Sequence, residues 1–226
     1  YAMQITMANY PNTKQLGDVR NVTAEKLPNI DLLIGGSPCQ GFSFAGAGLN
    51  FEDERSKLFF EFVRFKNELK PKYFLLENVK MKQEFQDIIS EQLGVKPIMI
   101  NSSLVSAQNR ERLYWTNIPI TNQPEDRKIF LKDIIEDKVE EPVFCGAMRG
   151  RYIIDGKRQD GKMKTAGLTK QRIEIRYDGK TNTITTVEKD NNVVYNTDGR
   201  SYYNLEDCNY RKLTPLECER LQTVPD

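Results

Sequence analysis

A short apolar run, Asp31-Leu-Leu-Ile34, is cut off by Gly35-Gly36-Ser37-Pro38, and a second, Tyr73-Phe-Leu-Leu76, starts after Pro71. Runs this short, closed by turn residues, read as buried strands of a parallel sheet. Between them Leu58, Phe59, Phe62, Phe65 and Leu69 recur near helical spacing until Pro71 stops the helix. Parallel strands need such a crossover, because the chain must travel back before it can start a second strand in the same direction. The alternation continues with a helix over 83–93 (Phe85, Ile88, Ile89, Leu93), ended by Gly94, and with two further strand candidates, Pro97-Ile-Met-Ile100 and Leu113-Tyr-Trp115. The pattern predicts an α/β sheet with helices on its faces.

The chain has 226 residues, 38% hydrophobic and 29% charged, which suits a soluble globular protein of one large domain or a main domain with a smaller appendage. Its net charge of +1 gives no argument from bulk basicity for any partner. The absence of histidine says more, since it excludes Ser-His-Asp and Cys-His nucleophile activation and every histidine-ligated zinc site. Cys39, Cys145, Cys208 and Cys218 show no C-x-x-C spacing, and no charged-then-apolar leader precedes them. The expectation is a chain without metal or membrane segment in a reducing cytoplasm.

From about residue 117 the pattern changes to scattered prolines and frequent glycines, which predicts short strands and long loops. Between Arg149 and Lys180 stand ten basic and four acidic residues, a local excess of six that suits a phosphate-facing surface. The segment 211–221 returns to helix-like spacing, with Thr214-Pro215 as N-cap and first turn. The expected organisation is 1–117, 118–207 and 208–226, the last returning to the first domain.

Cys39 lies just past the end of a strand, the edge at which open α/β sheets bind ligands, in Ser37-Pro38-Cys39-Gln40-Gly41-Phe42-Ser43. Glu77-Asn78-Val79 follows the second strand, and Gln108-Asn-Arg110-Glu-Arg112 precedes Leu113-Tyr-Trp115, its two guanidiniums in alternation. In this order, and with Arg211-x-Leu213-Thr214-Pro215-x-Glu217-x-x-Arg220-Leu221, these segments resemble the cytosine carbon-5 DNA methyltransferases that use S-adenosylmethionine. The resemblance covers most of the chain. It implies a Rossmann-like methyltransferase sheet, incomplete at its N-terminus, with a smaller β- and loop-rich target-recognition domain at 118–207.

The resemblance also assigns roles. Cys39 is the implied nucleophile, adding to carbon 6 of a flipped-out cytosine, and its thiolate is favoured by nearby guanidinium or backbone N–H groups. Glu77 is implied as the acid at ring nitrogen 3, Arg112 as the holder of the carbonyl oxygen, Arg110 as support for the pocket or a phosphate, and Pro38 and Asn78 as positioning groups. Asp18, Val19, Pro38 and Leu58 are implied to face the cofactor. Gln40, Ser43, Arg110, Thr183 and Ile184 are implied to face double-stranded DNA. No metal is implied. The cellular setting would be the cytoplasm of a bacterial or phage-type host, in restriction-modification or self-protection.

The family's glycine-rich loop for the methionine part of the cofactor, its ribose-binding carboxylate and its closing segment have no counterpart in the chain. The chain reads as a fragment, with flanking segments of the same protein needed for full stability. The alternatives are a catalytically silent DNA-binding or regulatory fragment, an RNA cytosine-C5 methyltransferase, and a generic cysteine-dependent α/β enzyme. Intact Cys39, Glu77, Gln108 and Arg112 argue against the silent fragment, the length of the recognition region favours DNA over RNA, and the order of motifs argues against a generic enzyme.

Overall fold

A computed structural model of the chain describes residues 2–38, 57–137, 142–151, 153–154, 157–158 and 170–224. The chain divides into two compact units, the first formed by Tyr1–Ile100 and Arg112–Thr121, the second by Asn101–Glu111 and Asn122–Asp226. The units group segments by their contacts, and 101–111 joins residues far along the chain.

The first unit contains α1 (Ala2–Asn9), β1 (Leu32–Gly35), α2 (Leu58–Leu69), β2 (Tyr73–Val79), α3 (Gln83–Leu93), β3 (Ile98–Asn101) and most of β4 (Glu111–Thr116). The sheet order is β1-β2-β4-β3. Strands β1 and β2 run parallel, from Leu32↔Tyr73 to Gly35↔Leu76, and β2 and β4 antiparallel, from Leu75↔Thr116 to Val79↔Arg112. Helix α2 ends where Lys70 turns left-handed (φ 48°) ahead of Pro71, and α3 ends at Gly94 (φ 75°).

The core of this unit joins Phe59, Phe62 and Val63 of α2 and Phe85, Ile89 and Leu93 of α3 to Phe74 and Leu76 of β2 and to Leu113 and Trp115 of β4. Trp115 is fully buried and its indole N–H finds Ser90 Oγ at 3.0 Å, so the ring contributes its apolar area without an unpaired donor. Strand β1 departs from expectation. Side chains alternate across a strand, so Leu33 packs on the core while Leu32 and Ile34 are 45% and 64% exposed. Gly35 faces Phe62 so closely that a Cβ there would stand 2.6 Å from the ring.

The second unit contains β5 (Phe144–Arg151), β6 (Ile153–Ile154), β7 (Lys157–Arg158), β8 (Lys170–Arg176), β9 (Asn192–Tyr195), β10 (Tyr202–Asn204), β11 (Asn209–Lys212) and α4 (Pro215–Leu221). Five strands form a sheet in the order β10-β8-β5-β9-β11, each neighbouring pair antiparallel, and β6 and β7 pair separately. Ala107, Leu131, Ile134, Cys145 and Leu221 form a buried cluster. The helix expected over 211–221 is shorter than its spacing suggested: Arg211 lies in β11, and α4 starts at Pro215. The reason is the capping box, in which Thr214 Oγ1 accepts from Glu217 N at 3.2 Å while the Glu217 carboxylate accepts from Thr214 N at 2.9 Å. Among the described residues no helix is long and apolar enough to cross a membrane.

Candidate active site

Glu77, Asn78 and Val79 lie inside β2, not beyond it, because pairing with β4 carries the strand on to Val79↔Arg112. The extension sorts the side chains by face. Asn78 turns inward with Phe74 and Leu76 and is 2% exposed; Glu77 turns to the opposite face. There Arg112 is its diagonal cross-strand neighbour, and Arg112 Nε lies 2.8 Å from Glu77 Oε1. The guanidinium is 14% exposed and the carboxylate 33%, so the pair is partly screened from water and open on one side.

The loop after β1 is tied to the same strand end. Asn78 Nδ2 donates to Ser37 Oγ at 3.1 Å and to Ser37 O at 3.4 Å, while its Oδ1 accepts the Val79 N–H at 2.8 Å. A Cβ on Gly36 would stand 3.3 Å from Glu77 Oε2, so a glycine here lets the carboxylate lie against the loop backbone. Ser37 and Pro38 are thus held beside Glu77. The predicted residues Cys39, Gln40 and Ser43 lie outside the described residues.

At the implied cofactor side, Asp18 caps the turn Val19–Asn21 and its carboxylate meets Arg20, at 2.6 Å from NH2. The Arg20 side-chain hydrogen bonds hold the carboxyl down at about 2. Arg64 of α2, six residues after Leu58, donates to Val19 O at 3.2 Å and Val22 O at 3.0 Å and so fixes this turn on the helix.

The second unit holds the other predicted residues. Arg110 precedes β4, its N–H bonded to Asn101 Oδ1 at 3.0 Å, so strand alternation begins only after it. Thr183 Oγ1 donates to Asn109 O at 2.8 Å, which sets Thr183 beside the Arg110 segment. Thr183 and Ile184 are loop residues, not strand.

Sequence reasoning named Gln108 as a motif residue but missed what it does. It is 1% exposed; its Nε2 donates to Leu221 O at 3.1 Å and its Oε1 accepts from Ile184 N at 3.0 Å. Ser106 Oγ also donates to Leu221 O at 2.9 Å. One amide thereby joins three of the motif segments. Glu217 was likewise missed as a site of buried charge. It is fully buried, and Arg211 grips it with NH1 2.8 Å from Oε2 and NH2 2.7 Å from Oε1. The role of Gln108 had no local signal, since its partners lie 76 and 113 residues away, whereas Glu217 stands at the capping-box spacing from Thr214 and six residues from Arg211.

The basic stretch is less free than its charge count suggested. Arg149 pairs with Asp190 and Arg176 with Asp178, and Lys180 bonds backbone carbonyls. Lys170 is exposed, and Arg172 lies over the Tyr202 ring at 4.8 Å, directly across from Arg149 in the β5–β8 register. Like charges opposed across strands are unfavourable unless an anion offsets them. Among the described residues no group of three His, Cys, Asp or Glu converges on a metal position.

The family model described as C-5 cytosine-specific DNA methylase matches residues 1–226. The chain belongs to this family. Among its relatives is the Type II methyltransferase M1.ScrFI of Lactococcus lactis subsp. cremoris, 30% identical over 257 residues, which covers 100% of this chain and 61% of that protein. The orphan methyltransferase M.SPRI of Bacillus phage SPR is 38% identical over 152 residues, covering 60% of this chain and 35% of that protein. A solved structure of a protein encoded within an E. coli prophage has a TM-score of 0.49 and 23% identity, over 72% of this chain and 52% of that one. The chain spans about three fifths or less of the length of these relatives.

Members of a methyltransferase family generally use S-adenosylmethionine. Val19 is 37% exposed, and the Asp18 carboxylate before it accepts from the backbone N–H, Nε and Nη2 of Arg20. Residues 2–9 form α1, a helix with no buried residue.

Proposed function

We propose that the protein methylates carbon 5 of a cytosine flipped out of double-stranded DNA, through a covalent adduct on Cys39. The observation that carries this reading is the Glu77–Arg112 pair, set on one sheet face beside the Gly36-Ser37-Pro38 backbone that leads into Cys39. Ring nitrogen 3 and the carbonyl oxygen are adjacent on cytosine, and a carboxyl and a guanidinium held side by side match that edge.

In the reaction the Cys39 thiolate forms a bond to carbon 6, and the electron pair of the 5,6 double bond becomes available at carbon 5. Glu77 places a proton at nitrogen 3, where negative charge gathers, and Arg112 donates to the carbonyl oxygen. Asn78 keeps the Ser37–Pro38 backbone, and with it the nucleophile, in line. S-adenosylmethionine supplies, when bound, an electrophilic methyl group on a sulfonium. The methyl would pass to carbon 5, which then loses its proton to water; that electron pair reforms the double bond as the bond to Cys39 breaks, and the nitrogen 3 proton returns to Glu77. Asp18 and Val19 face the adenine of the cofactor, with Leu58 and Pro38 lining the same side.

We assign residues 1–117 to catalysis and cofactor binding and residues 118–207, with strands β5 to β10, to target recognition, with 208–226 returning to the catalytic part. Arg110, Thr183 and Ile184 face the DNA with Gln40 and Ser43, and Lys170 and Arg172 add phosphate contacts. Relatives named as Type II and as orphan methyltransferases support DNA as the substrate. The protein acts in the cytoplasm of a bacterial or phage-type host cell.

The test is trapping on DNA that contains 5-fluorocytosine, whose fluorine cannot leave as a proton does. A covalent complex that needs both S-adenosylmethionine and Cys39 is the expected result. Its absence in the protein that carries this chain together with its flanking segments overturns the reading, and a complex that survives Cys39→Ala overturns the assigned nucleophile.

A further inference from the structure

Lys180 stands at the end of the basic stretch, yet its charge is turned into the second unit. Nζ lies 2.7 Å from Ser103 O, 2.7 Å from Ile129 O and 3.2 Å from Ser106 O, with the Phe130 ring centroid at 5.1 Å. An ammonium has three N–H donors, and each here meets a carbonyl. The next residues run alongside 106–109: Thr181 N donates to Ala107 O at 2.7 Å, and Asn109 N to Thr181 O at 3.0 Å, in a parallel bridge between Gln108 and Thr181. Thr183 Oγ1 and Ile184 N continue the pairing to Asn109 O and Gln108 Oε1.

We infer that Lys180 is a positioning residue that clamps this two-segment ledge, so that Arg110 and Thr183 are presented to DNA from one rigid support. The inference rests on the DNA-facing role proposed above for those two residues. A backbone pairing of two loops has no sheet around it to set its register. The clamp at one end does this, drawing together carbonyls from 103–106 and 129 that would otherwise repel.

Wild type, Lys180→Met and Lys180→Arg are compared in the protein that carries this chain. Amide exchange at Asn109 and Thr181 reads the ledge, exchange in β5 and β8 serves as the folding control, and KM and kcat are read with DNA at several salt concentrations. In Lys180→Met, exchange at the ledge and KM for DNA each rise about tenfold, the effect of roughly one unmet hydrogen bond. The value of kcat, the β5–β8 exchange and the salt slope of binding stay as in wild type, and Lys180→Arg, which can still donate to the carbonyls, restores most of the loss. A salt slope shallower by about one shows Lys180 touching a phosphate and overturns the inference. So does unchanged ledge exchange, or a fall in kcat at constant KM, which marks lost folded protein. If Lys180→Met fails to fold, Lys180→Gln, which keeps an N–H donor, takes its place in the same comparison. A wild-type protein that neither binds nor methylates DNA overturns the functional reading itself, whereas an active wild type matched by Lys180→Met overturns only the role of Lys180.

Discussion

Glu77 and Arg112 sit on neighbouring antiparallel strands, two residues out of register and on the same face, with Arg112 Nε 2.8 Å from Glu77 Oε1. The strands, not the side chains, fix this geometry, since each residue is held by ladder pairing on β2 and β4.

Under the proposed mechanism Glu77→Gln keeps the shape and removes the proton source. Single-turnover methyl transfer falls by about 10²–10⁴-fold, the usual worth of a general acid. Stability measured by urea unfolding changes by less than about 1 kcal/mol, because the glutamine keeps an oxygen that can accept from Arg112 Nε. A loss of stability without loss of rate would assign Glu77 a purely structural role.

Gly35 and Gly36 separate stability from chemistry. At Gly35 a Cβ would meet the buried Phe62 ring at 2.6 Å, so Gly35→Ala costs about 1–3 kcal/mol of stability. At Gly36 it would meet Glu77 Oε2 at 3.3 Å, which only displaces a carboxylate. Gly36→Ala is expected to leave the thermal midpoint within a few degrees and to lower single-turnover methyl transfer about tenfold or more, since small misplacements of reacting groups are costly. Thermal unfolding and single-turnover rates of the two variants provide the comparison.

Gln108→Leu leaves the Ile184 N–H without its buried acceptor, while the Leu221 carbonyl keeps the Ser106 hydroxyl. One unpaired buried group costs about 1–3 kcal/mol, and a loss of that size is expected in denaturant unfolding with little change of slope. A neutral Gln108→Leu would mean that neither bond contributes to stability.

The Arg211–Glu217 pair predicts a pH dependence. Burial pushes the Glu217 carboxyl up, but the Arg211 guanidinium and the N–H groups of Thr214 and Glu136 outweigh this and hold it below its ordinary value of 4.5. A carboxyl lowered by folding stabilises fully above that ordinary value, and the contribution is lost as pH falls through the lower folded value. Stability of the native chain should therefore drop on that acid side more steeply than that of Glu217→Gln. Glu217→Ala, which removes the buried acceptor of the Arg211 guanidinium and of the Thr214 and Glu136 N–H groups, is expected to cost about 3 kcal/mol near neutral pH. Equal acid-side slopes for the native chain and Glu217→Gln would refute the linkage.

Much of the fold was legible locally. Helix α2 and helix α3 follow from apolar spacing and from their stops at Pro71 and Gly94, and β1 and β2 from short apolar runs bounded by turn residues. The lengths of strands were less so: β2 continues through Glu77-Asn78-Val79 because β4 pairs with it, a fact absent from either segment alone. Arg211 was read as helical because the leucine spacing around it fits a helix, whereas pairing with Val193 places it in a strand.

The sequence by itself determined the residue types available for chemistry, a thiol, carboxylates and guanidiniums with no imidazole, and the order of the motifs that place the chain in its family. Tertiary structure alone decided that Glu77 faces Arg112 while Asn78, its neighbour, turns the other way to hold Ser37. It also decided that Gln108 binds Leu221 and Ile184, and that Lys180, counted among the surface cations, spends its charge on three carbonyls. The physical reason is range. Spacing and capping act within a few residues along the chain, whereas a buried hydrogen bond is satisfied by whichever group the fold brings within about 3 Å, however distant in sequence.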